Sequence, residues 1–150
     1  MKAREKVAEI EVSYKPAIGH KPIITSSLDA FTEIIEFFPF ETIALQERFL
    51  CMYLNRSNRV LGVYEVSVGG ITGTIVDLRL LLSVALKTAA TGIILCHNHP
   101  SGNLNPSAND KEITLKISEA AKLLDIKVLD HLIITPERKF YSMNDEGFNF

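Results

Sequence analysis

The sequence has few of the features that would mark a membrane, secreted or nucleic-acid-binding protein. Among its 150 residues there are only two cysteines, Cys51 and Cys96. Both lie in apolar runs, so they read as reduced core thiols of a cytoplasmic protein and not as a disulfide framework. No apolar run reaches the ~18 residues of a spanning helix. Met1-Lys-Ala-Arg-Glu-Lys6 is not followed by the apolar stretch of a secretory leader. Lysine and arginine number 16 against 18 acids, for a net charge of -2, and they form no block. Charge therefore gives no support for a nucleic-acid partner. Internal repeats and low-complexity segments are also missing. What is present is a globular composition, 47% hydrophobic and 23% charged, in a chain long enough for one sizeable core.

Periodicity divides the chain into alternating elements. Val7 to Tyr14 alternates apolar and polar residues and predicts an edge strand. Lys15 to Pro22 is a loop. Ser26 and Asp29 form a capping-box pattern that starts a helix with a stripe of Leu28, Phe31, Ile34, Ile35 and Phe38, ended by Pro39. Gln46 to Leu54 and Arg59 to Val68, joined by Asn55-Arg-Ser-Asn58, read as a hairpin broken by Gly69-Gly70. Leu78 to Ala90 is apolar nearly all round, which predicts a buried helix ended by Gly92. Ile93 to Cys96 is a buried strand. Ser107 to Leu124 is the longest helix, with Ile113, Leu115, Ile117, Ala120, Ala121 and Leu124 facing inward. Lys127 to Thr135 and Phe140 to Met143 are strands, and Asn144 to Phe150 a tail. Tyr53, Tyr64 and Phe140 read as core. The expected fold class is α/β, a mixed β-sheet flanked by helices. The expected organisation is a strand-and-loop extension over 1–25 and a main domain over 26–150.

The chemistry gathers between Ile93 and Asp110. In extended chain, residues two apart face the same side, so His97 and His99 can meet at one point. Pro100, Gly102 and Pro106 force a tight loop, and Asp110 follows in the first turn of a helix. Taken alone, Ser107-Ala-Asn-Asp110 reads as a capping box and His97-Asn-His99 as a polar strand end. Together they supply two imidazoles and a carboxylate, three of the four ligands of a catalytic Zn²⁺ with one position left for water. The parity of Cys96 points it away from this set. A hydrolytic site also needs a general base, and no H-E-x-x-H helix supplies one. Glu47, at the mouth of an apolar strand, and Glu65, in the next strand, are the candidates. His131, inside an apolar strand, reads as a core histidine bonded to a neighbour rather than a ligand.

Glu47, His97-x-His99, Ser107 and Asp110 stand in the order and spacing of the JAMM motif. The chain resembles JAB/MPN-domain metalloproteases, and within them the RadC branch. The strings that carry the resemblance are Leu54-Asn-Arg-Ser-Asn-Arg-Val60, Glu65-Val-Ser-Val-Gly-Gly70, His97-Asn-His-Pro-Ser-Gly102, Pro106-Ser107 and Val128-Leu-Asp-His-Leu-Ile-Ile134. The resemblance covers about Ser26 to Phe148. Met1 to Thr25 does not resemble the helix-hairpin-helix region of longer RadC proteins. The resemblance implies the JAB fold, related in architecture to cytidine deaminases. It implies Zn²⁺ held by His97, His99 and Asp110 with a water, Glu47 as the base that deprotonates that water, and Ser107 as hydrogen-bond donor to the oxyanion. The implied partner is a peptide or isopeptide substrate.

Other readings fit less well. An HNH nuclease disperses its motif over a ββα unit, so the literal His97-Asn-His99 is no evidence for one. A zinc deaminase needs H-x-E and P-C-x-x-C, and neither is here. The alternative kept open is a non-catalytic JAB scaffold, metal-bound for structure only, associated with DNA repair or mobile-element functions.

Overall fold

A computed structural model describes residues 7–70 and 73–150. Five strands form one mixed sheet in the order β2-β1-β3-β4-β5. They are β1 (Arg48–Leu54), β2 (Val60–Val68), β3 (Gly92–Asn98), β4 (Lys127–Ile134) and β5 (Phe140–Ser142). The helices are α1 (Ser27–Ile34), α2 (Leu78–Lys87) and α3 (Ala108–Lys122), with a 3-10 turn over Ile35–Phe37 after α1. All strand pairs are antiparallel except β3 with β4, which run parallel and are joined by α3. This is the mixed α/β sheet the sequence predicts.

The central strands β1 and β3 are covered on both faces, so their sequences are continuous apolar runs. One face of the sheet packs Leu50, Met52, Ile94, Cys96 and Leu132 against Ile34 and Phe38 of the first helical segment. The other packs Phe49, Cys51, Tyr53, Ile93 and Leu95 against Leu81 of α2 and Ile117 of α3. Because parity alternates along each strand, the two cysteines lie in opposite cores.

Several expectations need correction. Residues 7–14 form no strand; Val7, Ile10 and Val12 are 74%, 88% and 72% exposed. Alternation specifies a strand only where a partner edge buries one face, and the β2 side of the sheet is bridged instead by Ile23 to Arg59. Tyr14 is anchored at the end of this run, its hydroxyl donating to the Leu61 carbonyl. Helix α2 is not buried all round: Leu81 and Ala85 are buried, whereas Leu80 and Leu86 face solvent. It ends before Gly92. Ala89 takes the left-handed conformation, and the Ala90 N–H closes back on the Ala85 carbonyl. Helix α3 ends at Lys122; Leu115 within it and Leu124 beyond it are exposed, and Thr114 and Ser118 are buried. Leu28 of α1 is likewise exposed and Ala30 buried. Tyr53 is core and Phe140 stacks on Phe31, but Tyr64 is exposed. The C-terminal residues fold back, with Lys122 Nζ donating to the Phe150 carbonyl.

Burial pushes both thiols well above the ordinary cysteine pKa. Thiol titration of the native protein should therefore show little reaction, and two thiols should appear on adding denaturant. Rapid labelling of Cys96 in native buffer would contradict this packing.

Candidate metal centre

The site is built at the carboxyl end of β3, where the chain leaves the sheet. Antiparallel pairing sets Phe49 of β1 opposite His97 of β3. Continuing that register by two places Glu47 opposite His99, on the same face. The hairpin carries on past its strands to hold Glu47: its N–H donates to the Gly70 carbonyl, and its carbonyl accepts from the Gly69 N–H. Gly69 has to be glycine, since a Cβ there would lie 2.0 Å from the Gly73 carbonyl oxygen. That close approach brings residues 73–76 beside Glu47, and Ser67 and Thr74 share a hydroxyl hydrogen bond across it.

Beyond His97 the main chain keeps its parallel register for one more step, the His99 N–H donating to the Ile134 carbonyl. Gly102, at φ +85°, then turns it back, and the Gly102 N–H donates to the His99 carbonyl. The loop delivers Ser107 as N-cap of α3. Ser107 Oγ accepts from the Asp110 N–H at 3.0 Å, and Asp110 Oδ2 accepts from the Ser107 N–H at 2.8 Å. The capping box is therefore real, and it coexists with a second use of the same carboxylate. Asp110 Oδ1 lies 3.3 Å from His97 Nε2, and Oδ2 lies 3.1 Å from His99 Nε2. The two Nε2 atoms are 2.9 Å apart. One ligand atom from each of His97, His99 and Asp110 falls within 4.8 Å of the others, and the three together could hold a metal ion.

The donor set fits a divalent metal. His99 Nδ1 lies 2.5 Å from the Asn103 carbonyl, which can only accept, so that nitrogen carries a proton. The Nε2 of a neutral His99 is then a lone pair, aimed at a carboxylate and a second imidazole nitrogen. Three such groups converging on one point require positive charge between them. Burial works against charge on His99, but the charged ring could donate to both the Asp110 carboxylate and the Asn103 carbonyl, which outweighs burial and raises its pKa. Burial also opposes charge on Asp110, and its hydrogen bonds with His97 and His99 together hold it well below the usual carboxylate range. Two nitrogens and one oxygen, partly open to solvent, are a donor set that could hold a divalent ion.

These groups line a cleft of about 760 Å³ that Glu47, Phe49 and Ser107 share with the 73–76 segment and the 100–106 loop. Glu47 is half-buried, and desolvation pushes its carboxyl up despite the nearby His97 and His99. Glu65 is elsewhere. It pairs in register with Leu50, on the opposite face from Phe49, and accepts from the Arg48 guanidinium.

The sequence pattern leaves out Asn98, and it does not name the neighbour that His131 bonds. Asn98, between the histidines, has the opposite parity and is fully buried. Its Oδ1 accepts from the Arg48 N–H, and its Nδ2 donates to the carbonyls of Ile43 and Gln46. It thus clamps the main chain on both sides of Glu47 to the histidine strand. His131 is a core histidine, and the neighbour it bonds is His97. Burial holds its pKa well below the ordinary value. The one available signal was polarity out of place: Asp130-His131 sits in the middle of an apolar strand.

A mixed sheet with His-x-His at the end of its central strand and an acid capping the next helix defines a JAB-type domain. The chain belongs to the RadC-like JAB domain family, which it matches over residues 24–148. A UPF0758 protein of Flavobacterium johnsoniae is 55% identical over 127 residues, covering 83% of this chain and 52% of that protein. The UPF0758 protein YsxA of Bacillus subtilis is 35% identical over 151 residues, covering 99% of this chain and 64% of YsxA. The Porphyromonas gingivalis UPF0758 protein is also 35% identical, over 146 residues, with 97% and 64% covered. The chain thus spans about half to two thirds of the length of these relatives. Among the described residues no helix is long and apolar enough to cross a membrane.

Asn98→Ala would strand two carbonyls and an N–H in the protein interior. Each of the three groups costs about 1–3 kcal/mol, nearer the lower end for the two part-buried ones, so denaturant unfolding should show a loss on the order of 3–5 kcal/mol. A loss within about 0.5 kcal/mol, the range of a plain surface substitution, would mean that Asn98 is not the clamp.

Proposed function

We propose that this chain is a zinc-dependent hydrolase of the JAMM type, cutting peptide or isopeptide bonds. The observation that carries the reading is the convergence of His97 Nε2, His99 Nε2 and the Asp110 carboxylate beside a half-buried Glu47 in one open cleft. His97, His99 and Asp110 would hold the ion. Bound there, zinc supplies a Lewis acid that acidifies water and polarises a scissile carbonyl.

The chain's own residues supply the rest. Glu47 is the general base: its carboxylate takes the proton of the attacking water and delivers it to the leaving amine. Desolvation moves its pKa toward neutrality, the direction this shuttle needs. Among the described residues no lysine or arginine forms an ion pair with Glu47, which leaves the carboxylate free for proton transfer. Ser107 Oγ already accepts from the Asp110 N–H, so its own proton is available to the oxyanion that develops on the substrate. Asn98 holds the base at a set distance from the histidine strand.

Purified protein should carry about one zinc per chain, lost in the double variant His97→Ala/His99→Ala. Glu47→Gln keeps size and polarity but cannot take a proton. It should retain zinc and fold, while cleavage of a lysine-linked isopeptide or peptide substrate falls by ~10²–10⁴. Glu65→Gln should leave activity nearly unchanged. If Glu47→Gln instead loses the metal, Glu47 is a ligand. If it cleaves within a few-fold of the parent, the base is another group.

A further inference from the structure

His97 leans on a buried layer that chain spacing does not announce. His131 comes from the middle of β4, on the same face as its register partner Leu95, and is fully buried. Its Nε2 lies 2.7 Å from His97 Nδ1, and its Nδ1 lies 2.6 Å from Thr114 Oγ1 of α3. Thr114 Oγ1 is in turn 2.6 Å from the main-chain carbonyl of Asp110. The two imidazoles meet edge to face, with centroids 4.8 Å apart and planes at 64°.

Counting donors gives this chain one direction. A carbonyl only accepts, so the single hydroxyl proton of Thr114 goes to Asp110. Thr114 Oγ1 then accepts from His131, which puts a proton on His131 Nδ1. A fully buried imidazole with no carboxylate on either ring nitrogen stays neutral, so His131 Nε2 is a lone pair. That lone pair accepts the Nδ1 proton of His97. The Nε2 of a neutral His97 is left as a lone pair, on the side of His99 and Asp110.

We propose that His131 and Thr114 are positioning residues that lock His97 in the tautomer with Nδ1 protonated, so that its Nε2 faces the metal position. A ligating histidine usually donates its other N–H to a fixed acceptor such as a carbonyl or carboxylate. His99 does so to Asn103. His97 donates to another histidine, whose own tautomer is free to change unless something anchors it. The Thr114 hydroxyl is that anchor. It also ties the first turn of α3, which carries Asp110, to β4 and hence to His97. One buried relay therefore orients two of the three ligands.

The affinity part of the proposal rests on the zinc reading above, and the tautomer part does not. The test begins with ¹⁵N-histidine spectra of the metal-free protein on the alkaline side of neutrality. Both His97 and His131 should be protonated on Nδ1 alone. Zinc affinity is then measured by competition with a chromophoric chelator. His131→Leu should bind ~10–100-fold more weakly, and Thr114→Val should weaken binding and shift His97 toward the other tautomer. His131→Gln, whose amide oxygen can take the His97 proton, and Thr114→Ser should recover most of the affinity. A purely structural role would not order the variants in this way. A wild-type His97 protonated on Nε2 would overturn the relay. So would a His131→Leu variant with unchanged zinc affinity and an unchanged His97 tautomer. If His131→Leu does not fold, the wild-type spectra and Thr114→Val decide. If the wild-type protein takes up no zinc, the metal reading fails and the spectra alone judge the relay.

Discussion

The pairing of Phe49 with His97 is the contact on which the rest of the site depends. Phe49 is 2% exposed, and its ring lies parallel to the His97 imidazole at 6.0 Å and edge-on to His131 at 5.5 Å. Burying a phenylalanine contributes about 1.5–3 kcal/mol, and it does so only in one register. A slip of one residue would turn every side chain of β1 to the other face. Glu47 would then face the first helical segment, where Glu65 now sits. The chemistry is thus held by an apolar constraint two residues away from each polar group it places.

Much of this was legible from the chain. The hairpin, the two buried central strands and the long crossover helix follow from period and turn residues. The mixed sheet follows from a hairpin next to a strand-helix-strand unit. The parity rule alone separates Cys96 from His97. What was not legible depended on partners in space. Residues 7–14 alternate like a strand, and only the course of the chain past β2 shows that no ladder forms. Helix α2 is apolar nearly all round, yet only Leu81 and Ala85 are fully buried; Leu78, Leu82 and Val84 pack partly against the core, and Leu80 and Leu86 face solvent. In α3 the buried positions Thr114 and Ser118 look polar, and Thr114 is inside because His131 and the Asp110 carbonyl need it there.

The site shows the same division. His97, His99, Ser107 and Asp110 sit within fourteen residues of one another, so their meeting could be argued from local geometry. The reading of Asp110 as a plain capping residue and its reading as a ligand looked like alternatives. The structure leaves room for both, because one oxygen serves the Ser107 N–H while the carboxylate still faces the imidazoles. Choosing Glu47 over Glu65 needed a register, and a register is a two-strand property that one strand's sequence does not contain. Asn98 and His131 needed it more: Asn98 bonds across 50 to 55 residues of chain, and His131 reaches His97 across 34 and Thr114 across 17.

The crossover between β3 and β4 also sets an order of events in folding. His97 and His99 are close neighbours in any extended chain and can meet an ion as soon as they are made. Asp110 joins them only after α3 has nucleated. The relay through Thr114 closes only when β4 has docked in parallel beside β3, a long-range step that pays loop closure before any contact is returned. A chain caught partway therefore presents two imidazoles, and the three groups that could hold an ion meet only in the finished topology. The convergence of His97, His99 and Asp110 is thus a property of the correctly assembled sheet, and a misassembled one lacks it.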